Sequence, residues 1–130
     1  MPHIVIEYSA NLDGRFDIPR LLKRLRDTVL ADGVFALEGV RARAYRADHY
    51  LIADAHPENA FVHLTLRVGH GRDVGTRERA GQALFNALCH ELAALQLLAP
   101  LSLSLEVQEI DPVLTFKKNN LREYVERRAG

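Results

Sequence analysis

Met1-Pro2-His3-Ile4-Val5-Ile6-Glu7-Tyr8 opens the chain, and its reading decides the rest. The run Ile4-Val5-Ile6 is β-branched and predicts a strand. Chain starts normally fray unless something ties them down, so a strand starting this early points to a terminus held in place. Pro2 directly follows the initiator methionine and is small. If Met1 is removed, the Pro2 nitrogen becomes a secondary amine able to take and give a proton. An α-amino group titrates near ~8, and burial or a nearby cation pulls that value towards neutrality, where a general base works best. The plainer reading is that Pro2 only begins an edge strand, where its missing N–H costs nothing.

Working outward, Asn11, Asp13 and Gly14 bring turn chemistry after the strand. A helix is expected from about Asp17, with Pro19 in its first turn. Ile18, Leu21, Leu22, Leu25 and Val29 recur at helical spacing, and Asp32-Gly33 closes the element. From Val40 the pattern alternates. Val40, Ala42 and Ala44 lie on one side, and Arg41, Arg43 and Tyr45 on the other, so this strand carries two guanidinium groups on one face. His56-Pro57-Glu58-Asn59 is a loop.

The series then repeats. Ala60 to Val68 is β-like, and Gly69-His70-Gly71-Arg72-Asp73 is a turn. Thr76 to Gln96 is the strongest helix, with Ala80, Ala83, Leu84, Ala87, Leu88 and Leu92 on its core stripe and Thr76 as a candidate cap. Leu101, Leu103, Leu105 and Val107 alternate with Ser102, Ser104, Glu106 and Gln108. A short helix is expected through Leu121 to Arg128.

The expected fold is therefore α+β: a duplicated βαβ unit giving a four-stranded mixed sheet with two helices on one face. Residues 1–55 form the first half, 56–111 the second and 112–130 a tail, within a single domain. The uncovered sheet face holds Arg41, Arg43, His63, Thr65 and Arg67 beside Phe61 and Tyr45, a mixture suited to a partner subunit.

Composition narrows the function. Seventeen Lys+Arg balance seventeen Asp+Glu, so no basic field calls for nucleic acid. The single cysteine, Cys89, cannot close an internal disulfide and reads as a buried, inert thiol in its helix. No apolar run reaches membrane-spanning length and no leader precedes the first strand, which makes a cytoplasmic protein the expectation. The six histidines show no zinc spacing, so no metal is expected. The serines lack a nucleophile elbow, and Gly69-His70-Gly71 is too short for a dinucleotide loop. What remains is arginine, whose fork holds carboxylates by two parallel charge-assisted hydrogen bonds. With neighbouring parallel strands, Arg41 and Pro2 start at the same end of the sheet.

Pro2-His3-Ile4-Val5-Ile6-Glu7-Tyr8-Ser9, Gly39-Val40-Arg41-Ala42-Arg43, Ala60 to Gly69 with Gly71-Arg72, and Leu114-Thr115-Phe116-Lys117 with Asn119-Asn120 together resemble the 5-carboxymethyl-2-hydroxymuconate delta-isomerases of the tautomerase superfamily. The resemblance implies a homotrimer and a cofactor-free isomerisation of a polycarboxylate dienol in hydroxyphenylacetate catabolism. It implies Pro2 as the proton carrier and Arg41 and Arg72 as carboxylate ligands; Arg43 joins them as a substrate-binding candidate from its place on the same strand face. The alternatives are a tautomerase of another 2-hydroxydienoate or phenylenolpyruvate-type substrate, and a non-catalytic trimeric interaction protein of the same fold.

Overall fold

The computed structural model describes all 130 residues. Strand β1 (His3–Ser9) leads through a 3-10 turn at Ala10–Leu12 to helix α1 (Ile18–Leu30). A second 3-10 turn (Leu37–Gly39) precedes β2 (Arg41–Ala47); β3 (Ala60–Val68), α2 (Val74–Leu98) and β4 (Leu101–Glu109) follow, and α3 (Leu121–Ala129) ends the chain. The sheet order is β2-β1-β3-β4. Strands β1 and β2 are parallel, β3 and β4 are parallel, and the central pair β1–β3 is antiparallel. This is the expected mixed sheet with two helices packed on one face, plus the expected short helix in the tail.

The period-2 pattern sorts the faces. Ile4, Ile6, Val62, Leu64 and Leu66 are fully buried beneath Leu21, Leu25, Leu84, Leu88 and Leu92 of the two helices. The opposite face carries His3, Val5 and Glu7 on β1, flanked in register by Arg41, Arg43 and Tyr45 and by Arg67, Thr65 and His63. His63 shares a hydrogen bond with Ser104 Oγ (2.7 Å) and pairs with Glu106 (3.3 Å) across the β3–β4 ladder of that face. No helix of this chain covers it.

Local readings differ in detail. Helix α2 begins at Val74, because the Asp73 carboxylate accepts the Thr76 backbone N–H (2.7 Å) and so caps the helix in place of Thr76 itself; a carboxylate outcompetes a hydroxyl for that role when it sits one turn back. Ala83 faces solvent instead of joining the core stripe, and Cys89 is half-buried rather than enclosed. At 25 residues, α2 outruns the sheet it covers, and its apolar stripe drifts around the axis. Strand β2 starts at Arg41, since the Val40 N–H is taken by Leu37 in the 3-10 turn (3.2 Å).

Helix α2 and β4 approach most closely at Gly81. A methyl group built there would lie 2.8 Å from Val107 Cγ2 and 3.5 Å from Leu105 Cδ2, whereas at Gly75 the nearest atoms stand at 3.6 Å. Alanine in place of helical glycine ordinarily gains ~0.5–1 kcal/mol. At Gly81 the overpacking of a stiff β-branched neighbour, ~1–3 kcal/mol, outweighs that gain. In urea unfolding at one protein concentration, Gly81→Ala is expected to lower the midpoint and Gly75→Ala to hold or raise it; equal shifts in both variants would refute the close contact.

Candidate functional site

The strand directions decide where chemistry gathers. Parallel pairing puts the starts of β1 and β2 together, with His3 opposite Arg41. The antiparallel β1–β3 pair sets His3 against Arg67, so the end of β3 and the turn after it arrive at the same place. Strand β4 runs with β3, and the Ile110 N–H donates to the Val68 carbonyl (2.8 Å). One end of the sheet thus collects the amino terminus, the Arg41 strand start, the Gly69–Arg72 turn and the tail.

Pro2 is buried there, and its carbonyl accepts the Arg41 N–H at 3.0 Å. Gly39 lies against it: a methyl group at Gly39 would sit 3.5 Å from both Met1 Cα and Pro2 Cδ. Arg41 turns its guanidinium to the 3-10 turn and donates to the Glu38 carbonyl (2.9 Å). The Arg72 guanidinium carbon stands over the buried Phe35 ring, 4.4 Å from its centroid, and the group donates weakly to the Gly69 carbonyl (3.4 Å). Its own carbonyl accepts from Arg77 Nε (3.2 Å), which ties the turn to the start of α2. Arginine over an aromatic face keeps its charge while its position is held.

The chain's amino group, on Met1 here, is held below its ordinary pKa. Burial contributes most, followed by the charges of Arg72, Lys117 and Arg41. Two of the four site residues read from the sequence, Arg41 and Arg72, thus stand around the terminus that Pro2 anchors. Arg43 is placed differently. It lies on the open sheet face and donates from Nη1 to His3 Nδ1 (3.1 Å). Since arginine only donates, Nδ1 must be the acceptor of a neutral ring. Burial first, then the charges of Arg43, Arg41 and Arg67, lower the His3 pKa and favour that neutral form.

Sequence reading missed Lys117. It was visible only as part of the tail motif, and the topology gives the signal: a β4 parallel to β3 delivers the following residues to the Pro2 end. Lys117 and Asn119 line a cleft of about 430 Å³ with Met1, Glu38 and Arg122. A groove of about 460 Å³ between α2 and β4, bordered by Glu78 and Gln82, holds no cation. No group of three or more His, Cys, Asp or Glu side chains is arranged to hold a metal, and no helix is long and apolar enough to cross a membrane.

The sequence profile of the 5-carboxymethyl-2-hydroxymuconate isomerase family matches residues 2–125. The 5-carboxymethyl-2-hydroxymuconate Delta-isomerase of Escherichia coli is 39% identical over 121 residues, covering 93% of this chain and 96% of the relative. The crystal structure of a 5-carboxymethyl-2-hydroxymuconate isomerase from Deinococcus radiodurans R1 superposes with a TM-score of 0.90 at 40% identity, over 95% of this chain and 93% of that one. A fused 4-OT symmetric trimer shares the fold alone, with a TM-score of 0.65 at 18% identity over 91% and 93% of the two chains. A match across nearly the full chain, with the tautomerase-type fold around it, makes this protein an isomerase belonging to the 5-carboxymethyl-2-hydroxymuconate isomerase family.

Proposed function

We propose that this enzyme converts 5-carboxymethyl-2-hydroxymuconate to its keto isomer in hydroxyphenylacetate catabolism, with Pro2 as the general base once Met1 has been removed. The observation that carries the reading is a terminal amine set among Arg72, Lys117 and Arg41 with its pKa lowered, in a chain of this family. Pro2 is more buried than Met1, so the same desolvation and the same cations act on its nitrogen once it is the terminus.

The chemistry is a proton shift along a conjugated chain. Neutral Pro2 takes the proton of the C2 hydroxyl as that O–H bond breaks. The electron pair forms C2=O, the C2=C3 bond moves to C3=C4, and the former C4=C5 pair takes a proton at C5. Pro2 returns the proton it removed, so the amine ends as it began. Negative charge spreads over the dienolate in the transition state, where Arg41 and Arg72 stabilise it electrostatically while fixing the substrate carboxylates.

The enzyme is further proposed to act as a homotrimer. What supports this is the helix-free sheet face with its half-buried Phe61, His63 and Thr65, together with a fold-sharing chain that forms a symmetric trimer. The state is read directly by native mass spectrometry as three chain masses.

Two kinetic outcomes test the mechanism. Intact mass should lack Met1, and Pro2→Ala, which leaves only a flexible primary amine, should lower kcat for dienol ketonisation by about 10²-fold, within the range of acid–base catalysis; unaltered kcat would remove Pro2 from the mechanism. The pH profile has a definite sign. A base works when unprotonated, so a lowered amine pKa puts the rising limb of kcat/KM below the ordinary α-amino value. Removing a neighbouring cation relieves the protonated form, so Arg72→Ala should shift that limb to higher pH as well as weaken binding. A limb that stays in place would show that Arg72 does not act on the base.

A further inference from the structure

The cleft beside the amino terminus holds a cation, Lys117, to which the reaction above gives a charge effect on the amine and no contact with substrate. Lys117 has no carboxylate partner, whereas Arg122 on the same cleft pairs with Glu38 at 3.6 Å and with Glu126 at 3.2 Å. The one carboxylate lining the cleft, Glu38, is therefore already neutralised by Arg122. Asn119 is also oriented by its surroundings. Its side-chain oxygen accepts the Leu121 N–H (2.8 Å), which leaves the amide NH2 group as a donor beside Lys117. An ammonium group and an amide donor, in a cleft whose one carboxylate is paired with Arg122, form a setting for an anion.

Charge counting says which anion. A muconate skeleton carries two carboxylates and the carboxymethyl branch a third. The terminus is surrounded by three cations that lack a carboxylate partner: Arg41, Arg72 and Lys117. Arg41 and Arg72 are anchored on backbone carbonyls at the strand start and the turn, while Lys117 comes from the tail on the cleft side.

We propose that Lys117, assisted by the Asn119 amide, forms a third carboxylate subsite that selects a tricarboxylate dienol over the dicarboxylate lacking the carboxymethyl branch. The inference rests on the isomerase reading for its substrate class. It adds a residue that sets specificity through one substrate branch, distinct from the base and the two arginines. A flexible four-carbon stem suits this task, because a point charge follows a freely rotating carboxymethyl group better than a rigid fork does.

The test compares kcat/KM for 5-carboxymethyl-2-hydroxymuconate with kcat/KM for 2-hydroxymuconate, on the plateau of the pH profile, in wild type, Lys117→Gln and Lys118→Gln. The tricarboxylate:dicarboxylate ratio is expected to fall about tenfold in K117Q, the size of one lost charge-assisted contact, and to be partly restored in Lys117→Arg. K118Q removes the same charge one residue away, outside the cleft lining, and is expected to leave the ratio as in wild type. A ratio unchanged in K117Q, or lowered equally in K118Q, overturns the subsite. Wild-type protein that turns over neither dienol overturns the proposed substrate and reaction instead. Calorimetry with tricarballylate and glutarate then decides the subsite separately: tighter tricarballylate binding that K117Q abolishes supports it, and equal binding of the two acids refutes it.

Discussion

The antiparallel pairing of β1 with β3 is the constraint on which the rest depends. Each βαβ half alone is a parallel pair with a helix across it, and its strand starts and strand ends lie at opposite edges. Joining the halves through β1 and β3, with His3 opposite Arg67, reverses one half against the other. The starts of the first half then meet the ends of the second. Had the central pair been parallel, the Gly69–Arg72 turn and the tail would lie a strand length away, ~20 Å, from the Pro2 terminus. The site is a consequence of sheet topology before it is a consequence of any one side chain.

That topology also accounts for how the cations are held. Guanidinium groups in proteins are usually matched by carboxylates, as in Arg24 with Glu91 (2.8 Å) or Arg77 with Glu109 (3.4 Å). At the Pro2 end they are not. Arg41 rests on a carbonyl of the 37–39 turn, and Arg72 rests on Phe35 and a carbonyl of its own turn. Dipoles and an aromatic face orient a guanidinium without cancelling its charge. The repulsion among these groups destabilises the fold locally, a cost typical of functional sites, and after burial, the larger cause, it lowers the pKa of the amine they surround.

The sequence carried most of this, and the reasons it carried less in places are physical. Alternation and helical spacing located all four strands and the two long helices, because a sheet with one covered face and amphipathic helices imposes strong periodicity. Strand phase and the Gly-rich turn marked where Arg41 and Arg72 stand, while the carboxylate-binding role of both came from the family resemblance alone. Lys117 was not legible in this way, since the tail between β4 and α3 is exposed and irregular and no period marks it; only the strand direction of β4 brings it to the terminus. Arg43 shares a strand face with Arg41, and two residues along the ladder its guanidinium is engaged with His3; strand phase marked that face, whereas the partner follows only from the β1–β2 register.

The global charge balance sharpens the role of the local one. With seventeen cationic and seventeen anionic side chains, the protein has no long-range field to steer a polyanion, and charges beyond about 10 Å are screened at ordinary ionic strength. Attraction must therefore come from where the charges stand within a Debye length of one another. Uncompensated cations clustered at one sheet end supply it, while acidic groups on the open face, such as Glu106, are drawn into contacts with His63 and Gln108. A locally positive terminus on a protein of zero net charge matches the compact polycarboxylate of the proposed reaction, whereas capture of an extended polyanion such as nucleic acid depends on a broad basic surface. In the proposed reaction, preference for a small polyanion rests on segregation of charge, not on its total.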